Sequence, residues 1–246
     1  KGSKIMKKLL ALLLGLSIST AAIADSSGDF QTISIIEGLD RNEREVREAA
    51  VKITDGSGHG SGGIVQYRDL QLVLTAQHVA NGRIGSDYYV INGATMESAI
   101  LIYSDPVHDI AVLYLKEGNE LEGRGLRYSP RAEMGTVGSG ITYSGHPSWH
   151  NLMTYRGYIA GMEHLDGRGP QLMLNTYGWF GCSGSVIYDT SGDIIGILWG
   201  VDIERHPSLQ VQENMIWVSP IQNLDMSLAI SELCISLEYE PRACRR

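Results

Sequence analysis

Gly178-Trp179-Phe180-Gly181-Cys182-Ser183-Gly184-Ser185 runs directly into the apolar stretch Val186-Ile187-Tyr188. Glycines flank Ser183 on both sides, and glycine supplies positive φ and lets other backbone approach closely. A serine framed in this way sits on a tight turn with backbone N–H groups converging beside it. That arrangement suits a nucleophile, because a serine hydroxyl needs a base on one side and an anion-stabilising site on the other. The same residues also spell an ordinary glycine-rich turn before a strand. Which reading holds depends on whether the rest of the chain supplies a base and an orienting carboxylate.

Both are present upstream. Val73-Leu74-Thr75-Ala76-Gln77-His78-Val79-Ala80 places a histidine just after an apolar strand-like run. His108-Asp109-Ile110-Ala111-Val112-Leu113-Tyr114-Leu115 places an aspartate at the head of another. The chain order His, Asp, Ser is one of the three orders in which this triad occurs. With Thr75-Ala-x-His-Val79, Asp109-Ile-Ala-Val-Leu113 and Gly181-x-Ser-Gly184 in that order, the sequence resembles the trypsin-like serine peptidases of the chymotrypsin fold, in their bacterial, HtrA-like branch. Tyr143-Ser144-Gly145-His146-Pro147 is similar to the Gly-x-Pro strand end of that family, and Gly196-Ile197-Leu198-Trp199-Gly200 to the strand that lines its substrate channel. The resemblance spans roughly residues 49 to 218.

It implies an all-β protein of two six-stranded antiparallel Greek-key β-barrels, with the active site between them and a C-terminal helix. It implies His78 as general base, Asp109 as its orienting carboxylate and Ser183 as nucleophile. The N–H groups of Gly181 and Ser183 form the oxyanion hole. The residue six before the nucleophile, Tyr177, stands at the base of the primary specificity pocket, and Leu198, Trp199 and Gly200 form a wall that pairs with an extended substrate. No carboxylate matches the pocket base of a Lys/Arg cutter, although Asp202 lies near the wall. Ile197 stands where glutamate-specific relatives carry histidine. Cys182 replaces the aspartate that zymogen-activated members place before the nucleophile. The partner implied is a protein or peptide substrate, and neither cofactor nor metal is implied.

Short apolar runs separated by glycine-rich turns read as β throughout. Strands are expected near 49–53, 64–67, 72–75, 88–91, 99–103 and 110–115 for barrel 1, at about 49–116. After a polar linker at 117–131 they are expected near 136–143, 153–161, 171–175, 185–188, 194–198 and 215–218 for barrel 2, at about 132–218. Ser219-Pro220 reads as the start of a helix at about 220–234. The peptidase domain is thus expected over 49–234 and a tail over 235–246, with no PDZ-like module.

The chain has 246 residues, 43% of them hydrophobic and 20% charged, with a formal net charge of −8. That suits a folded globule, and the lack of a basic patch argues against nucleic acid as a partner. Lys7-Lys8, the apolar run from Leu9 to Ile18 and Ala22-Ile23-Ala24 read as a signal peptide over residues 1–24, with residues 1–5 upstream of Met6. The apolar run is short for a span, and no membrane anchor is expected after cleavage. A leader is expected over 25–48. The protein is therefore expected to be exported, periplasmic or secreted. That setting favours a disulfide between Cys234 and Cys244, leaving Cys182 as a free thiol.

His146 and His150 have a spacing seen in zinc sites, but Pro147 between them argues for a turn, and no metal ligand is assigned. Two other functions compete with an exported serine endopeptidase. One is a catalytically silent member of the fold that binds peptides or plays a structural part. The other is an α/β-hydrolase, which requires the order Ser, acid, His and a glycine where Ser185 stands.

Overall fold

The structure is a computed structural model that describes residues 38–148, 150–205, 207–236 and 244. The expected signal peptide lies outside the described residues, as does the leader up to position 37. The chain from Arg41 onward packs as one unit.

The first barrel is built from β1 (Ala50–Thr54), β2 (His59–Tyr67), β3 (Leu70–Thr75), β4 (Asp87–Asn92), β5 (Thr95–Asp105) and β6 (Ile110–Leu115). Their order is β1-β4-β5-β6-β3-β2, and β1 pairs with β2 to close the ring. The second barrel uses β8 (Gly140–Gly145), β9 (Met153–Leu165), β10 (Gly169–Asn175), β11 (Val186–Asp189), β12 (Ile194–Arg205) and β13 (Leu209–Pro220). It closes in the order β10-β13-β12-β11-β8-β9. The runs β3-β6-β5-β4 and β10-β13-β12-β11 are the same Greek-key arrangement, in which a strand lies beside the last of the three hairpin-linked strands that follow it. The two six-stranded antiparallel barrels expected from the sequence are therefore the fold.

Every residue of β3 and of β6 is buried. Alternation is lost because these strands are covered on both faces. One face, with Val73, Ala111 and Leu113, lines the first barrel beside Val51, Ile53 and Ile64. The other, with Leu72, Leu74, Val112 and Tyr114, meets Val186, Tyr188, Ile194 and Ile197 of the second barrel. Burying each such side chain contributes about 1.5–3 kcal/mol, so the seam between the barrels is as much a core as either interior. The end of β3 and the start of β6 thereby become rigid platforms at that seam.

The segment 41–48, read in sequence as part of a leader, belongs to a helix, α1 (Arg41–Ala49). It buries Glu43, Val46 and Ala49. The Glu43 carboxylate accepts from Arg156 Nη2 at 2.6 Å, and Arg47 donates to Thr154 Oγ1 and to the Leu152 carbonyl, both at 3.0 Å. The helix that precedes barrel 1 is thus fastened to barrel 2. The linker at 117–131 also contains a short strand, β7 (Leu126–Arg127), added in parallel to β2.

The helix start expected at Ser219-Pro220 is corrected. Both residues pair with β12, Pro220 opposite Gly196 and Ser219 opposite Ile197. A single 3₁₀ turn follows at Ile221–Asn223, and the α-helix, α2, runs over Met226–Ser236. Its cap is Asp225, whose Oδ1 accepts from the Leu228 N–H at 2.9 Å. Proline without a donor still fits a strand end, so the dipeptide did not distinguish the two outcomes. Cys234 on α2 is bonded to Cys244.

Candidate active site

His78 follows β3 on a single turn, in which Val79 and Ala80 N–H donate to the Ala76 carbonyl at 3.2 and 3.3 Å. Asp109 precedes β6 at the end of a turn that Asp105 organises. Asp105 Oδ1 accepts from Val107 and His108 N–H at 2.9 and 3.1 Å, and its Oδ2 lies 2.7 Å from His108 Nδ1. Asp109 itself has φ +58°, a left-handed conformation that aspartate tolerates better than most residues.

The two expected partners meet at two points. The His78 N–H donates to Asp109 Oδ1 at 2.9 Å, and His78 Nδ1 lies 2.8 Å from Oδ2. Burial pushes the Asp109 carboxyl up, but the hydrogen bonds and charge of His78, with the charge of Arg168, hold it below the ordinary carboxylate value. Asp109 is therefore an acceptor, and Nδ1 carries the proton. Nε2 is then left with a free lone pair. The His78 side chain is 45% exposed and that of Asp109 only 7%, so the acid is shielded and the imidazole faces outward.

The serine turn is held from both barrels. Ser61 N–H, on β2, donates to the Ser183 carbonyl at 2.7 Å, and Ser61 Oγ donates to the Gly181 carbonyl at 2.7 Å. On the other side Gly184 N–H donates to the Leu198 carbonyl at 2.7 Å, and Leu198 N–H returns a bond to Ser185 at 3.0 Å. Gly181 and Gly184 take φ of +94° and +91°. A Cβ on Gly184 would lie 2.1 Å from the Ser61 carbonyl oxygen and 2.2 Å from Thr75 Oγ1, so only glycine fits.

The direction of the amides follows from the carbonyls. The Phe180 carbonyl accepts from Ser148 N–H at 2.6 Å, and the Cys182 carbonyl from Ser185 N–H at 3.0 Å. In a planar trans peptide the next N–H points the opposite way. The amides of Gly181 and Ser183 are thereby turned away from these partners, and among the described residues neither has a backbone acceptor. No hydrogen bond joins the His78 ring to the Ser183 hydroxyl among the described residues.

The expected substrate residues separate into two groups. Trp199 is bulged out of the β12–β13 ladder, because Leu198 pairs with Val218 and Gly200 with Trp217. Its ring stacks on Trp217, with centroids 6.1 Å apart. Leu198 is buried in the second barrel, so its backbone rather than its side chain faces the nucleophile turn. The Tyr177 ring packs at a tilt against Tyr155, and Tyr155 against Tyr143, with centroids 5.2 and 5.1 Å apart. It borders a cavity of about 700 Å³ with Arg156, Glu213 and Asn214, and that cavity contains neither Ser183 nor residues 198–200. Asp202 is engaged by Trp217 Nε1 at 3.3 Å. Cys182 is fully buried, and burial raises its thiol pKa.

His146 and His150 flank a turn closed by His150 N–H on the Pro147 carbonyl at 3.0 Å. The His146 ring is buried with neither nitrogen hydrogen-bonded, and burial together with the charges of Lys52 and His59 pulls it down to about 4. Two site residues were not visible in the sequence. Ser61 is one serine in a glycine-rich strand, and Arg168 reaches Asp109, at 3.7 Å, from a distant hairpin.

A family model described as a trypsin-like peptidase domain matches residues 60–197. No curated protein matches the chain. Among solved structures, the inactive form of the Rv3671c protease of M. tuberculosis is 18% identical, with a TM-score of 0.59 over 77% of this chain and 90% of that one. An HtrA-type protease, AlgW, bound to a tripeptide is 20% identical with a TM-score of 0.61, over 77% of this chain and 60% of its own. A serine endoprotease from Yersinia pestis is 20% identical with a TM-score of 0.57, over 73% and 61%. This chain thus spans about three fifths of the last two proteins.

Proposed function

Because the chain belongs to the trypsin-like peptidase family, we propose that it is a serine endopeptidase that cuts proteins or peptides through His78, Asp109 and Ser183. The observation that carries this reading is the two-point hold of Asp109 on His78. One carboxylate oxygen fixes the backbone and the other fixes the tautomer, so that Nε2 is the basic nitrogen.

In this mechanism Nε2 takes the proton of Ser183 Oγ as the oxygen adds to the scissile carbonyl carbon. The N–H groups of Gly181 and Ser183 donate to the resulting oxyanion. Collapse expels the amine, which leaves with the proton held by His78, and an acyl group remains on Ser183. Water then repeats the sequence in reverse roles and frees the acid. Asp109 stays ionised throughout and stabilises the imidazolium. β11 pairs with β12 only as far as Ile197, so the β12 edge from Trp199 onward is left open beside the site to an extended peptide, which would add to it as a strand. The signal-like N-terminus supports an exported, periplasmic or secreted, location.

The missing hydrogen bond between His78 and Ser183 favours a second reading, a silent peptide-binding member of the fold. Such bonds often tighten only when substrate is bound, which keeps catalysis the better-supported reading. Digestion of a peptide library by the wild-type protein and by Ser183→Ala separates the two. Cleavage by the first and none by the second is expected. Equal cleavage by both, or binding without cleavage, would defeat the proposal.

A further inference from the structure

Arg168 occupies the tip of the β9–β10 hairpin between Gly167 and Gly169, whose φ values are +79° and +70°. Its N–H closes the turn on the Leu165 carbonyl at 3.0 Å. The hairpin belongs to the second barrel, but it carries the guanidinium across to Asp109 on the first. Nη1 lies 3.7 Å from Asp109 Oδ2; it is buried and makes no hydrogen bond. Its charge is therefore compensated by that carboxylate.

The rest of the side chain is held by the substrate wall. Cζ lies 4.4 Å above the Trp199 ring, a distance suited to a cation over an aromatic face. The Trp199 indole N–H donates at 2.9 Å to Oε1 of Gln171, which is fully buried. Gln171 Nε2 in turn donates at 3.1 Å to the Arg168 carbonyl. Arg168, Gln171 and Trp199 form one closed unit whose free end is a cation aimed at Asp109.

We propose that Arg168 is a positioning residue that holds the Asp109 carboxylate against His78 from across the cleft and couples it to Trp199 on the substrate wall. This rests on the reading of His78, Asp109 and Ser183 as a triad. Arg168 and His78 are the charged groups that act on Asp109. The neighbouring His108 is occupied by Asp105 at 2.7 Å. A fixed cation beside the His78–Asp109 pair opposes its protonation, so the pair stays in the base form to lower pH. Removing the cation has the opposite effect, and activity is lost at a higher pH.

The test compares kcat/KM against pH for the wild type, Arg168→Met and Arg168→Lys on a peptide taken from the library digest. The acid limb should move up by about one pH unit in Arg168→Met, the low end for an opposite charge within a few ångströms. It should move less than half as far in Arg168→Lys, which keeps the charge. A role in packing alone would lower activity without moving the limb. Arg168→Gln against Arg168→Lys gives the same contrast should the methionine variant fail to fold.

The Asp109 carboxyl carbon, followed by NMR in a Ser183→Ala background, requires no turnover. Its titration should rise in Arg168→Met by a similar amount. An unmoved limb together with an unmoved Asp109 titration would overturn the role of Arg168. Absence of turnover in the wild type would overturn the triad reading instead, and the NMR titration would still decide whether Arg168 acts on Asp109.

Discussion

Gly184→Ala measures how tightly the nucleophile turn is clamped between the barrels. The backbone there has φ +91°, and the new methyl would lie 2.1 Å from the Ser61 carbonyl oxygen and 2.2 Å from Thr75 Oγ1. The positive φ costs about 1–2 kcal/mol for a residue with a Cβ. Relieving the overlap costs a further 1–3 kcal/mol or so. It also breaks the bond from Thr75 Oγ1 to the Ser61 carbonyl, now 2.7 Å, which is worth about 1 kcal/mol. The total is about 3–6 kcal/mol, or roughly 6–24 °C in Tm for a chain of this size. Gly138→Ala is the control, because its φ is +87° and nothing lies within 4 Å of the added carbon. It should cost only the conformational part, about 1–2 kcal/mol. Urea unfolding of the two variants isolates the clash as their difference. A Gly184→Ala protein no less stable than Gly138→Ala would refute the claim that Ser61 and Thr75 fix the turn.

Four other outcomes are expected. Asp109→Asn keeps the shape but sets an amide against His78 Nδ1, which forces the proton onto Nε2. kcat/KM on a library-derived peptide should fall about 10³–10⁴-fold, and a loss under tenfold would contradict the assigned tautomer. His146 titrates at about 4 in the fold against 6.5 in the unfolded chain. Between those values only the unfolded chain takes up the proton, so stability is full above about pH 6.5 and falls by about 3 kcal/mol as pH drops towards 4. Because its ring makes no hydrogen bond, His146→Phe should flatten the slope in urea titrations across that window, while the losses tied to Asp105 and Asp109 remain below the ordinary carboxylate value of 3.8. An unchanged slope would refute the assignment. Thiol counting in denaturant without reductant should find Cys182 alone, reacting slowly in the native protein because it is fully buried. Reducing the Cys234–Cys244 bridge should cost about 2–3 kcal/mol in urea unfolding, and three thiols without reductant would show the bridge absent.

The barrel strands were legible where burial is simple. Ile110–Leu115 is apolar throughout because both faces are covered, and its bounds were read directly. β12 and β13 extend beyond the expected runs through residues such as Asp202, Glu204, Gln210 and Gln212. These stand in a hairpin that projects from the barrel, where no burial forces an apolar pattern. Helix α1 was hidden for the opposite reason. Its buried face includes Glu43, which is tolerated only because Arg156 meets it from 113 positions away. His78 and Asp109 were readable because each adjoins a fully buried strand. Arg168 was not, since a lone arginine between two glycines carries no local sign of a carboxylate on the other barrel.

The central claim is that Ser183, activated by His78, is the nucleophile. Reaction with a fluorophosphonate, followed by peptide mass mapping, tests it without knowledge of the substrate. A single adduct on Ser183 is expected, absent in Ser183→Ala and strongly slowed in His78→Ala. Peptide cleavage by a protein that leaves Ser183 unlabelled, or an adduct that maps to another residue, would contradict the account.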